Sequence, residues 1–165
     1  MEYFFNFDKM SYLTGHRPSC CVLCMVRDGS DQVQRLVVAQ TESWIVSLNL
    51  YPYNPGHILV FPKRHVMDLR HLSKDERAEG DALTMVCLDT LDSTHHPAGY
   101  NLGWNMGGVA GASIEHLHQH IIPRYPREIG IAELMAGRRL LVEDPAKTLE
   151  ILREAIQPRL ADLVR

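Results

Sequence analysis

Histidines occupy alternate positions at His116, His118 and His120, with Leu117 and Gln119 between them and Ile121-Ile122-Pro123 behind. No other feature constrains the local fold as tightly. Successive strand side chains point to opposite faces, so a strand over His116 to Ile122 would set three imidazoles in one row. Pro123, which has no N–H to donate, should end that strand. Gln119 should point away from the row. The three rings titrate near neutral pH and can ligate metal, so the row is a candidate site. His16, His71, His95 and His96 lack such context and read as ordinary surface or hydrogen-bonded residues.

The rest of the chain supplies a mixed architecture. Leu36 to Ala39 and Trp44 to Leu48 read as short strands around a polar turn, Gln40 to Ser43. Tyr51-Pro52-Tyr53-Asn54-Pro55-Gly56 is a loop, and His57 to Phe61 is a buried strand stopped by Pro62. Ser73-Lys74-Asp75-Glu76 is a capping-box pattern opening a long helix. Leu83, Val86, Cys87, Leu88 and Leu91 recur at helical spacing, and His95-His96-Pro97 ends the run. Gly99 to Met106 suggests another strand. Asp144-Pro145 suits a helix start, Leu149, Leu152 and Ile156 give its apolar face, and Pro158 should interrupt it. Strands and helices do not alternate regularly, which predicts an α+β fold with a mainly antiparallel sheet. A single domain over residues 1–165 is expected, with an N-terminal arm at about 1–20 and a helical segment at about 144–165.

A formal net charge of -3 gives no support for a nucleic-acid surface, though it leaves room for a local phosphate pocket. No apolar run is long enough to span a bilayer. Acids and aromatics at Met1 to Asp8 do not resemble a signal peptide, so a cytoplasmic protein is expected. Disulfides are then not expected among Cys20, Cys21, Cys24 and Cys87.

A histidine can act as a covalent nucleophile when a neighbour fixes its tautomer and donors cradle the attacked group. Asn105-Met106-Gly107-Gly108-Val109-Ala110-Gly111-Ala112-Ser113 runs directly into the histidine row. Glycines let backbone approach an anion, and free N–H groups, the Ser hydroxyl and the Asn amide can bind phosphate oxygens.

Pro55-Gly56-His57, Pro62-Lys63-Arg64-His65 and Gly111-Ala112-Ser113-Ile114-Glu115-His116-Leu117-His118-Gln119-His120-Ile121-Ile122-Pro123-Arg124 together resemble the histidine triad superfamily. The likeness runs from about Cys21 to Arg124. The run from Asn49 to His57 resembles the branch of diadenosine tetraphosphate phosphorylases and hydrolases. The resemblance implies that His118 attacks an α-phosphorus, forming a nucleotidyl-histidine that an acceptor then resolves. It places Asn49 at the ribose, and Asn105, Gly111 and Ser113 at the phosphates. His120 would assist at the phosphate and His57 would shape the site. The sequence departs from the pattern at Ala112, where many members have Gln. It also lacks the Trp and the Gly-Asp-x-Asn-Phe run that some phosphorylases carry after this point, reading Tyr125-Pro126-Arg127-Glu128-Ile129-Gly130 instead.

Cys21-Val22-Leu23-Cys24 is a C-x-x-C that could be a redox pair or half of a zinc site. The resemblance implies zinc, with His65 and His116 completing a structural set. His116 would then hold the strand that presents His118, rather than act on substrate. Three functions follow as expectations: a nucleotidyl hydrolase or transferase on dinucleoside polyphosphates, a nucleoside phosphoramidase, or a nucleotide-binding protein with little turnover. The resemblance also implies a homodimer.

Overall fold

The computed structural model describes residues 2–4, 20–126, 138–140 and 144–163. Most of the expected N-terminal arm, including His16, and the tail residues 127–130 lie outside the described residues. The architecture is α+β, as expected.

Five strands form one antiparallel sheet in the order β2-β3-β4-β6-β5. They are β2 (Val37–Gln40), β3 (Trp44–Leu48), β4 (Ile58–Pro62), β5 (Gly99–Trp104) and β6 (Gln119–Arg124). A separate parallel pair joins β1 (Glu2–Phe4) to β7 (Arg138–Leu140). Among the described residues three α-helices accompany them: α1 (Val22–Asp28), α2 (Lys74–His95) and α3 (Pro145–Leu163).

β3 and β4 are buried along their whole length, which explains their unbroken apolar runs. Alternate residues serve two cores. Trp44, Val46, Leu48, Ile58 and Val60 face α2 and α3, meeting Leu83, Cys87, Leu91, Leu152 and Ile156. Ile45, Leu59 and Phe61 face the other way, meeting Leu23 and Val26 of α1. The sheet is therefore clamped between a long-helix layer and the short helix α1.

The capping box forms: Glu76 N–H donates to Ser73 Oγ at 3.0 Å, and Ser73 N–H to a Glu76 carboxylate oxygen at 2.8 Å. Gly80 lets α2 lie against the sheet, because a Cβ there would stand 2.6 Å from the Trp44 ring. The Asp144 cap is present too, accepting from Ala146 N–H at 3.0 Å.

Three expectations need correction. The triad strand starts at Gln119, so His116 and His118 lie in the extended segment leading into it. Val66 carbonyl accepts from Leu117 N–H there, in place of a sheet partner. Pro123 sits inside β6 opposite Tyr100. Its carbonyl accepts from Asn54 Nδ2 at 2.6 Å, and its nitrogen shares that edge, so no bond to β5 is lost. Pro158 lies within α3 and does not interrupt it. Burial of Leu152 and Ile156 outweighs the missing bond, and Arg159 donates to the nearby Ala155 carbonyl at 2.7 Å. Smaller shifts put β2 and β4 one residue later than expected, making Pro62 the last residue of β4 opposite Trp44, and end β5 at Trp104.

Candidate functional site

His118 is buried, and its Nδ1 lies 2.7 Å from the His116 carbonyl. A carbonyl only accepts, so Nδ1 carries the proton and Nε2 keeps its lone pair. Burial lowers the His118 pKa, opposed by the carbonyl contact, so the ring stays neutral at neutral pH. His118 thus offers a fixed, unprotonated nitrogen.

A second chain of bonds orients its neighbour. Tyr53 N–H donates to His57 Nδ1 at 3.1 Å, and a backbone N–H can only donate. Asn49 Nδ2 gives His57 Nδ1 a second donor at 3.2 Å; its 3.4 Å approach to Nε2 is longer and sets donor against donor. His57 therefore carries its proton on Nε2 and donates it to His120 Nδ1 at 3.0 Å. His120 in turn keeps its proton on Nε2. Burial, then the charges of His120 and His118, push the His57 pKa well below the usual histidine range. Burial, with His118 adding to it, pushes His120 down to about 4. Tyr53 stacks on His57 with ring centroids 5.3 Å apart, and His120 lies 4.9 Å from the His118 ring. The site so holds two neutral imidazoles of opposite character: His118 with a bare nitrogen, His120 with an N–H.

Both line a cavity of about 550 Å³ on the α1 side of the sheet. Asn49, Asn105, Gly111 and Ser113 line it as well, while His57 stands behind His120. Gly107 and Gly111 take φ of 85° and 87°, which side chains disfavour, and between them Gly108–Ala110 forms one 3₁₀ turn. The N–H groups of Ala110, Gly111 and Ala112 are bonded inside that turn. These three are not free for an anion, so Gly111 shapes the wall rather than donating, and Asn105 and Ser113 supply polar side chains there. Gln119 points away as expected, accepting from Thr84 of α2 at 2.9 Å.

The far end of the cavity is apolar, lined by Val22, Leu23, Val26, Val33, Leu59 and Ile114. None of these six was singled out from sequence. They come from α1, β4 and two loops, so no local pattern joins them. Helix α1 itself was missed, although Gly29 after Arg27-Asp28 is a stop signal: it takes φ 71° and donates to the Val26 carbonyl.

Cys21, Cys24, His65 and His116 converge beside the cavity, each offering one ligand atom, all within 4.8 Å of one another. Arg64 carries His65 there by pairing with both carboxylate oxygens of Glu76 at 3.0 and 2.7 Å. His116 Nε2 donates to the Pro62 carbonyl at 2.9 Å, which turns a bare Nδ1 toward both sulfurs. Sulfur–nitrogen separations are 3.5, 3.4 and 3.6 Å. A tetrahedral zinc with ordinary Zn–S and Zn–N bonds has S–N edges of about 3.6 Å. Three of the six edges thus match a four-ligand zinc centre, with which the donor set is compatible, and the carbonyl behind His116 is the usual support for a ligating imidazole. Burial holds His116 down to about 4, which keeps it neutral and able to ligate. Burial, then neighbouring Cys21, push the Cys24 thiol up to about 11, a rise that a divalent cation would offset. Cys87 is in the core, away from this group.

Comparison with known proteins defines the class. The HIT domain model matches residues 30–127, and the chain belongs to that family. An AP-4-A phosphorylase from Mycobacterium tuberculosis strain H37Rv is 39% identical over 107 residues, covering 64% of this chain and 55% of that protein. The chain thus spans about half the length of that relative. An adenosine 5'-monophosphoramidase from Schizosaccharomyces pombe is 32% identical over 111 residues, covering 67% of this chain and 79% of that one. A crystal structure of a zinc-bound histidine triad family protein from Mycobacterium smegmatis shares the fold, with TM-score 0.70 and 24% identity over 86% of this chain and 96% of that one. Among the described residues, no helix is long and apolar enough to cross a membrane.

Proposed function

We propose that this chain is a nucleotidyl hydrolase or transferase acting on dinucleoside polyphosphates, with His118 Nε2 as its nucleophile. One observation carries the reading: the Nδ1–H contact to the His116 carbonyl leaves Nε2 bare, in a cavity that also contains Asn105 and Ser113. Its volume of about 550 Å³ is in the range of small-molecule sites.

In this reading the base enters the apolar end, Asn49 meets the ribose, and Asn105, Gly111 and Ser113 surround the phosphates. His118 Nε2 forms a bond to the α-phosphorus. The P–O bond to the leaving polyphosphate breaks, and its electron pair goes with that oxygen. His120 Nε2–H hydrogen-bonds the charge that develops, held in place by His57. An acceptor oxygen then attacks phosphorus and the N–P bond breaks, restoring the bare nitrogen.

Support for the polyphosphate class comes from His120 and from the phosphorylase relative. A neutral imidazole is a very weak acid, so it stabilises an anionic leaving group better than it protonates an amine. The phosphoramidase relative keeps P–N bond hydrolysis as the second reading. Product analysis on diadenosine tetraphosphate, with and without inorganic phosphate, tests the proposal. ADP formed only with phosphate identifies a phosphorylase, and AMP plus ATP in water an asymmetric hydrolase. Faster release of amine from an adenosine phosphoramidate would favour the second reading. Binding of nucleotide without turnover of either substrate would refute both.

We also propose that Cys21, Cys24, His65 and His116 hold a structural zinc, supported by their donor geometry and by the zinc-bound M. smegmatis protein. When bound, the ion ties α1 to the triad segment. A cytoplasmic homodimer remains the expectation for the assembled protein, and sedimentation would test the dimer.

A further inference from the structure

Helix α1 has two working faces. At about 100° per residue, Val22 and Val26 lie within roughly 40° of each other, and Cys24 lies roughly 200° from Val22. The structure agrees: Val22, Leu23 and Val26 line the apolar end of the cavity, while Cys24 joins the four-ligand cluster on the opposite side. Cys21, at the N-cap, joins the cluster as well.

The helix is poorly held by itself. It has seven residues, and its N-cap makes no side-chain cap bond. Isolated helices this short do not persist in water. Its C-terminal half is tied down, since Arg27 donates to the Lys63 carbonyl at 2.6 Å and Arg35 to the Val26 carbonyl at 3.2 Å. In the first turn Leu23 packs with Ile45, Leu59 and Phe61, while half-buried Val22 sits between cysteines that meet His65 and His116. His116 is differently placed. It is fully buried and bonded to the Pro62 carbonyl through Nε2, the nitrogen that faces away from the sulfurs. Metal loss would therefore release the first turn of α1 more than the segment presenting His118.

We infer that Cys21 and Cys24 are positioning residues for base recognition: by ligating a metal they fix the Val22–Leu23 wall, so metal occupancy and binding of the base are coupled. The inference rests on reading the cavity as a nucleotide site. It implies reciprocity, because a ligand that needs the wall in place must tighten the metal by the factor by which the metal tightens the ligand. The coupling should require the base. On this reading a ribose phosphate would meet Asn49, Asn105 and Ser113 but lack the base that packs on α1.

Zinc transfer from the wild-type protein to a chromogenic chelator tests this, measured alone, with saturating AMP and with saturating ribose 5-phosphate. AMP should raise zinc affinity at least about fivefold, at the low end of ordinary site-to-site coupling, and ribose 5-phosphate should leave it unchanged. By calorimetry, removing zinc should weaken AMP by the same factor and leave ribose 5-phosphate binding as it was. Val22→Ala should shrink the metal effect on AMP while keeping zinc. Equal effects of AMP and ribose 5-phosphate, no effect of AMP that does bind, or protein that binds no zinc would each overturn the coupling and leave the nucleotide reading standing. Failure of AMP to bind at all would overturn both.

Discussion

Replacing His57 with phenylalanine would test the orientation of His120. Phenylalanine keeps the ring and its stacking on Tyr53 but removes both nitrogens. Three contacts are lost: the donation to His120 Nδ1 at 3.0 Å and those that Nδ1 receives from Tyr53 N–H at 3.1 Å and Asn49 Nδ2 at 3.2 Å. His57 is 1% exposed, so water cannot replace them. Leaving a donor unsatisfied in that setting costs about 1–3 kcal/mol of stability. Losing the support for His120 removes one hydrogen bond to developing charge, about 1.5–3 kcal/mol of transition-state stabilisation. That corresponds to roughly a 10- to 150-fold fall in the adduct-forming step. His57→Gln is the control, since its amide nitrogen can still donate to His120. Single-turnover rates on diadenosine tetraphosphate should place His57→Gln within about tenfold of wild type, with His57→Phe well below it. Equal rates for wild type and His57→Phe, or equal losses in the two variants, would show that His57 does not orient His120.

Other outcomes follow from the same structure. Purified without chelator or metal-affinity tag, the protein should carry about one zinc per chain, and Cys21→Ser/Cys24→Ser should carry none by metal analysis. Gly80→Ala should destabilise by about 1–3 kcal/mol through overpacking, seen as a lower denaturant midpoint, because its Cβ would stand 2.6 Å from the Trp44 ring. The pKa values of His57, His118 and His120 are lowered in the fold, so the unfolded chain takes up protons below about 6.5 that the folded chain refuses. Stability should be full above that pH and fall on acidification toward 5. A denaturant midpoint that stays flat or rises from pH 7.5 to 5 would contradict this assignment.

Much of the fold was legible because it is written locally. The capping box at Ser73, the short apolar runs of β3 and β4 and the helical spacing of Leu83, Cys87 and Leu91 each depend on neighbours in sequence. The two prolines misled for the same reason. Pro123 and Pro158 are tolerated by tertiary features: an edge shared with Asn54 in one case and burial of Leu152 and Ile156 in the other. At the site, the short motifs led to Asn49, Asn105, Gly111, Ser113, His118 and His120, all of which meet at one cavity. They also led to the four residues of the sulfur–nitrogen cluster. The apolar end was not legible, because Val22, Val33, Leu59 and Ile114 become neighbours only when α1 folds over the sheet. Sequence also could not say which ring nitrogen of each histidine carries a proton. That is decided by the His116 carbonyl and the Tyr53 N–H, two backbone groups that no residue pattern specifies.

In the proposed reaction His118 Nε2 becomes bonded to phosphorus. Rapid acid-free quenching of the protein with diadenosine tetraphosphate labelled at the α-phosphorus, followed by mass analysis of its peptides, reads this directly. A labelled nucleotidyl group on the peptide containing His118, absent in His118→Ala and retained in trace amounts in His120→Ala, is the predicted result. Wild-type turnover with no adduct on that peptide, or undiminished turnover by His118→Ala, would contradict it.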